Sequence, residues 1–569
     1  MTTVLEGLDW VVLAIYFLAL ILVAVWVVLQ KNKNTEDYFL AGRNVGWFVI
    51  GASIFASNIG SEHVVGLAGT GFESGTPMAH YELHAWIVLL LGWLFLPFYI
   101  RSGAFTMPEF LEKRFDSKSR WFLSLFSLIA YVLTKVSVTI YAGGIVVSEL
   151  LGIPFWYGAI GVVVFTGIYT VIGGMKAVIY TETLQAIILI LGSIIITYLG
   201  LQEVGGWAEL RNTVIAASPD HFDMWRPGLF RFTDHITHTG LPLEFTTPHP
   251  DFPWTGLLFG GTIVGVWYWC TDQYIVQRTL AANNIKIGRR GAIFGAYLKL
   301  LPIFIFLIPG IIAFALSIQN PEVFSIEKAD RAFPMLVKTL LPTGLKGLVA
   351  GGLMAALMSS LASVFNSCST IFTIDIYKKL KPNESEKKLL NIGKLATTVI
   401  VILGIIWIPI MEKIGGGVMY QYLQNVQSYI APPVAAVFIL GIVWKRVNSK
   451  AAITTLMAGL VLLIMRLSSE IYFQPEISSN TIVDSYMFVF ATINFSHMAI
   501  LMFIFSILLC VGVTLSTTEP EYSKIVGLSF GTLTKEQRLE NKNSYETIDV
   551  ILSVSLVIIV VAILSYFTG

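Results

Sequence analysis

Apolar runs long enough to cross a bilayer recur along nearly all of this 569-residue chain. A spanning helix needs about 20 mostly apolar residues. Runs at or near that length fall roughly at 9–30, 46–70, 79–101, 120–148, 154–172, 177–202, 254–277, 289–317, 344–377, 391–411, 418–444, 450–472, 491–516 and 547–568, about fourteen in all. In hydrocarbon every backbone N–H and C=O must be satisfied within the protein, and runs of this length do so as helices. Only 13% of the residues are charged, about half the share usual in soluble proteins. The expected fold class is therefore an all-α polytopic membrane protein with about 14 transmembrane helices. Cys270, Cys368 and Cys510 show no paired spacing, which argues against a disulfide framework or a zinc site. The first residues lack a basic stretch, so the first apolar run is expected to stay as a helix rather than be cleaved as a signal.

The connecting loops alternate in charge. About 26 of the 37 basic residues fall in or beside loops that follow odd-numbered spans, among them Lys113, Arg114, Arg289, Arg290, the run from Lys378 to Lys394, and Lys535 to Lys542. These loops are expected in the cytoplasm, and an even span count then puts both termini outside the cell. The outside loop 203–253 is long and holds His221, His235, His238 and His249, whose spacing matches no metal signature. It is expected to be a solvated loop, and 517–546, polar and mixed in charge, a solvated cytoplasmic linker.

Two stretches place polar groups where hydrocarbon should be: Ser57 to His63, and Ser359 to Ser363. The first lies in a run that also carries Gly51, Gly60, Gly66 and Gly69, the kind of interruption that marks a discontinuous transporter helix. A break near Ala56 to Gly60 frees carbonyls, those of Ala56 and Ile59 among them. Ala356, Ser359 and Ser360 stand at i, i+3 and i+4, on one helix face. Together these groups would offer about five neutral oxygens, a cage suited to a hard monovalent cation, sodium first. The alternative is that small Ser and Ala residues only let helices pack closely. The run 254–277 is interrupted in the same way by Gly256, Gly260, Gly261 and Gly265.

Other polar residues at membrane depth are Asn58, His63, Glu82, Lys299 and Gln424, with Tyr81, Trp267, Tyr268, Trp269 and Tyr420 near them in sequence. Amide, carboxylate and imidazole groups suit a polyhydroxyl ligand, and aromatic faces suit the CH face of a sugar ring. Lys299 needs a partner, either Glu82 or the ligand. Structural ion pairs with an interfacial aromatic belt are the competing explanation.

Six strings carry a family resemblance: TEDYFLAG at 35–42, FASNIGSEHVVGLAGTG at 55–71, TMPEFLEKRF at 106–115, AVIYTETLQ at 177–185, WYWCTDQYIVQR at 267–278 and MSSLASVFNS at 358–367. In them the chain resembles the sodium/solute symporter family, and closely its sodium/glucose and sodium/galactose cotransporters. The resemblance covers nearly the whole chain. It implies a LeuT-like core of two inverted five-helix repeats, one over 46–202 and one over 254–444. Around them stand a first helix and loop at 1–45, the loop 203–253, and three further helices at 445–569 with the loop 517–546.

The resemblance implies a sodium site at Ala56, Ile59, Ala356, Ser359 and Ser360. It implies substrate contacts at Asn58, His63, Glu82, Trp269, Lys299 and Gln424. Tyr268 would close the inner side, and Leu67, Tyr81 and Tyr420 the outer side. A second cation site would involve Glu182. Three departures stand out: Gly265 where relatives carry Asn or Thr, Glu182 where they often carry Asp, and Ala362 where relatives that couple two sodium ions carry a hydroxyl. The last two favour one sodium per solute.

The function expected is sodium-driven symport of a monosaccharide, galactose or glucose first, by alternating access. Myo-inositol, sialic acid or another small solute is the alternative. The expected partners are the solute, the co-transported Na+ ion and the lipid bilayer, in the plasma membrane, with no nucleic acid and no obligate protein partner. No span shows a nucleophile–base or metalloenzyme motif, so the chain is not expected to be an enzyme.

Overall fold

The computed structural model describes residues 5–29, 34–60, 62–226, 252–414, 419–479, 481 and 483–568, and these form helices with no strand among them. The long elements are α1 (Gly7–Leu29), α2 (Trp47–Asn58), α3 (His63–Glu73), α4 (Ala79–Ser102), α5 (Ser117–Leu151) and α6 (Phe155–Val204). They continue as α7 (Gly256–Thr271), α8 (Gln273–Leu280), α9 (Ile285–Gln319), α10 (Leu345–Leu380) and α11 (Glu386–Ile414). The last four are α12 (Met419–Val443), α13 (Ser449–Tyr472), α14 (Phe495–Ser516) and α15 (Thr547–Tyr566).

Length and apolar composition qualify 11 of the described helices as membrane spans, and 12 with the bent pair α2–α3. The expected fourteen is reached only by two further divisions. One is in α6, whose 50 residues would extend about 75 Å, more than twice the hydrocarbon thickness of about 30 Å. It is interrupted at Gly174, where φ is +62°. The other is the short apolar helix α7.

The breaks have local causes. α2 stops at Asn58 because Ile59 is extended (φ −87°, ψ 93°), and the chain resumes in α3 at an angle of 64°. α7 stops before Asp272, which is also extended (φ −80°, ψ 127°) and whose carboxylate accepts from the Tyr274 N–H at 3.3 Å to start α8.

α10 is the central element, 94% buried over its apolar stretch, whereas α15 is 17% buried and peripheral. α6 packs along α10, and α9 packs along α2. The latter contact relies on glycine: a Cβ at Gly51 would lie 2.8 Å from the Gly291 carbonyl and 3.0 Å from the Gly295 nitrogen.

The described part of 203–253 is only partly solvated: its end, from His221, is packed against the helices, unlike the expectation of a solvated loop throughout. His221 stacks on Phe314 with ring centroids 4.5 Å apart, its Nε2 lies 3.0 Å from the Gly71 carbonyl, and its own carbonyl accepts from Thr76 N–H at 2.8 Å. Burial pushes this imidazole down to about 4, so it is neutral at physiological pH. His235, His238 and His249 lie outside the described residues, and no cluster of metal-ligating side chains occurs among those described.

The stretch 517–546 is largely exposed, as expected of a solvated linker, but it is anchored at several points. Arg101 pairs with Glu540 at 2.8 Å, Arg289 donates to the Ser544 carbonyl at 2.7 Å, and Arg290 reaches Glu546 at 2.8 Å. Arginines at the ends of α4 and α9 find their counter-charges there, which the mixed composition alone did not reveal.

Gly51→Ala is expected to force α2 from α9 and destabilise the protein by about 1–3 kcal/mol. Gly161→Ala, at a position with nothing within 4 Å, is expected to be neutral. Thermal unfolding midpoints of the two variants in detergent make the comparison.

Candidate solute and ion site

The break after Asn58 removes the helical partners of the last carbonyls of α2. Serines of α10 take their place. The Ser359 hydroxyl donates to the Ala56 carbonyl at 2.7 Å and lies 2.9 Å from the Ala356 carbonyl. Ser360 reaches a different carbonyl, that of Ser57, at 3.2 Å, and the Tyr274 hydroxyl donates to that same oxygen. Ala56, Ala356, Ser359 and Ser360 are thus brought together at one buried crossing. Ile59 is buried beside it as the extended residue that ends α2. Every oxygen named here is uncharged. The set can coordinate a hard monovalent cation and lacks the formal charge that a divalent ion usually requires.

Glu182 of α6 lies beyond this crossing. Its carboxylate accepts from Ser57 at 3.0 Å, from Ser53 and from Ser363, and pairs with Arg278 at 3.2 Å, with both charged side chains fully buried. The guanidinium already compensates the carboxylate there, so a second cation at Glu182 would have to compete with Arg278.

On the other side of the α2 break is a narrow polar cavity of about 40 Å³, room for a few waters, so a solute of sugar size needs its walls to move apart. Asn58 and His63 enter it from the two sides of the break, Trp269 and Tyr268 from α7, Lys299 from the middle of α9 and Gln424 from α12. Tyr81 also lines it. Glu82 stands behind the wall: its carboxylate holds the Lys299 ammonium at 2.5 Å and lies 3.7 Å from His63 Nε2. The ammonium also lies 5.3 Å from the Trp269 ring centroid. Asn58 Nδ2 and Gln424 Oε1 are buried and have no hydrogen-bond partner among the described residues. Buried polar atoms are normally satisfied, and these two are available to an occupant. Leu67 is buried in α3 and does not line the cavity. The side chain of Tyr420 lies outside the described residues.

The cavity has lining residues that the sequence reading did not select: His84, Lys135, Thr139, Tyr274 and Gln427. Lys135 was the most findable, being a charged residue inside the apolar run 120–148. Its ammonium pairs with Asp272 at 2.6 Å and lies 3.8 Å from the Tyr274 ring centroid and 4.4 Å from that of Tyr268.

A family model for the sodium:solute symporter family matches residues 38–459. The chain belongs to that family. It is 39% identical to the sodium/myo-inositol cotransporter of Bos taurus, covering 93% of this chain and 76% of the relative. It is likewise 39% identical to sodium/glucose cotransporter 1 of Oryctolagus cuniculus, covering 90% and 79%. Among solved structures, a Na+-coupled sialic acid symporter in a substrate-bound outward-open state superposes with a TM-score of 0.72 over 91% of this chain and 99% of that one, at 22% identity. The symporter therefore has the LeuT-like fold that the motifs imply. It is a multi-span membrane transporter rather than an enzyme, with sodium and a sugar or other small solute as its ligands.

In this symporter Ser359→Ala is expected to raise the sodium concentration for half-maximal uptake about tenfold, equivalent to about 1.4 kcal/mol. Ser360→Ala is expected to act in the same direction, and sodium titration of uptake measures both. Glu82→Gln leaves the Lys299 ammonium without its counter-charge and is expected to cost about 3–5 kcal/mol of stability. Adding Lys299→Met should restore the unfolding midpoint without restoring solute uptake.

Proposed function

We propose that the protein is a sodium-driven symporter of a monosaccharide, glucose or galactose, with one sodium ion carried per sugar. The observation that carries this reading is the α2 break. Ala56 and Ser57 turn their carbonyls to the serines of α10, while the next residue, Asn58, lines the cavity. An ion that draws these oxygens together positions Asn58 as it does so. Ion and sugar then each raise the other's affinity by the same factor.

The charge balance of the cavity supports a neutral cargo. Its two ammonium groups, Lys299 and Lys135, are matched by Glu82 and Asp272. A carboxylate-bearing solute would have to displace one of those partners. Within this reading Asn58, His63, Trp269 and Gln424 hold the sugar, and Glu82 positions Lys299. Tyr268, braced by Lys135, closes the inner side, and Tyr81 belongs to the outer side with Leu67 and Tyr420. The protein works in the plasma membrane with both termini outside. A second reading, myo-inositol as cargo, is favoured by the relatives named as sodium/myo-inositol cotransporters; it is another ring polyol and needs the same uncharged donors and acceptors.

The test is uptake of radiolabelled glucose, galactose, myo-inositol and sialic acid into proteoliposomes, with and without an inward sodium gradient. Sodium-dependent accumulation of a hexose, with the others weaker, is the expected result. Preference for myo-inositol would establish the second reading, and accumulation of sialic acid alone would overturn the neutral-cargo reading.

A further inference from the structure

Among the cavity-lining side chains given no role in the reading above is His84. Gly261 and Gly265 stand at i and i+4, on one face of α7. His84 of α4 lies against them. A Cβ at Gly265 would fall 2.5 Å from Ile87 Cδ1 and 2.7 Å from His84 Nδ1, and one at Gly261 would fall 3.5 Å from His84 Nε2. The positions of the imidazole and of the Ile87 side chain together require glycine at 265. The same ring lines the cavity beside Tyr81, with centroids 5.3 Å apart. His84 is only 5% exposed, and its ring nitrogens make no hydrogen bond among the described residues. Buried polar groups normally find a partner, and the space this ring borders is the cavity itself. A neutral imidazole carries one donor and one acceptor. That pair complements a hydroxyl group, which can accept from one nitrogen or donate to the other.

We infer that His84 is a specificity-determining residue, held against Gly265 so that its imidazole hydrogen-bonds one hydroxyl of the carried sugar or polyol. The inference rests on the reading of this cavity as the solute site. It predicts discrimination at one ring carbon, because a single imidazole bonds a single hydroxyl.

The experiment compares the unsubstituted protein with His84→Ala, His84→Asn, Gly265→Ala and the double variant His84→Ala/Gly265→Ala. Uptake kinetics are measured for the carried solute and its series of monodeoxy analogues, with sodium half-saturation alongside. His84→Ala is expected to raise KM for the parent solute about tenfold, while KM for one monodeoxy analogue stays unchanged, because that analogue lacks the recognised hydroxyl. Gly265→Ala, which displaces the ring, should reproduce the same analogue pattern. The double variant should lose no more than either single one, and His84→Asn should recover part of the loss. Sodium half-saturation should stay within about twofold throughout. A KM rise that is uniform across the series, or no rise at all, would overturn the assignment of His84 and leave the transport reading intact. Absence of sodium-dependent uptake of any polyhydroxyl solute by the unsubstituted protein would overturn both.

Discussion

A helix that breaks at membrane depth exposes carbonyls that no water is present to satisfy, and the core of this protein is arranged around that constraint. The break follows Asn58 in α2, and the exposed oxygens of Ala56 and Ser57 are met by hydroxyls of Ser359, Ser360 and Tyr274. An unsatisfied amide in such surroundings costs several kcal/mol, so the serines of α10 are required wherever α2 breaks. The same oxygens that complete the hydrogen bonding can coordinate a small cation. A bound ion exchanges one form of satisfaction for another, so occupancy of the crossing controls how α2 and α10 meet.

Buried charge obeys the same rule. Lys299 with Glu82, Lys135 with Asp272, and Arg278 with Glu182 each join residues far apart in sequence. These pairs contribute little net stability compared with apolar replacements of similar shape. Their value lies in position. Two of them flank the cavity and leave it polar with little net charge, and the third lies beyond the ion crossing. Glycine supports the arrangement where backbones approach, as in the contact of Gly51 with Gly291 and Gly295. Larger residues there would separate the helices that carry the two halves of the site.

Much of this was legible in the sequence, because membrane burial makes polar residues conspicuous. Asn58, His63, Lys299 and Gln424 stand out against apolar neighbours, and all four line the cavity. Lys135 is equally conspicuous, but its partner Asp272 lies 137 residues away, and nothing local to either residue points to the pair. His84 and Tyr274 were not legible, because a histidine or tyrosine near a span end reads equally well as an interfacial residue. Two loops expected to be solvated, the described part of 203–253 and the stretch 517–546, are in part exposed and in part anchored to the helix ends. Polarity identifies a loop but does not show where its hydrogen bonds go.

The sequence by itself determined that the chain is a helical membrane protein, where its helices break, and which residue types those breaks expose. These are local properties, set by apolar run length and by short polar and glycine-rich interruptions. Only the tertiary structure decided that Ser360 meets the Ser57 carbonyl, that Glu182 is held by Arg278, and that His84 occupies the space left by Gly265. Each of these depends on which helix faces are brought together and in what register. A one-residue rotation of a helix turns its side chains by about 100°, and no local pattern records that choice.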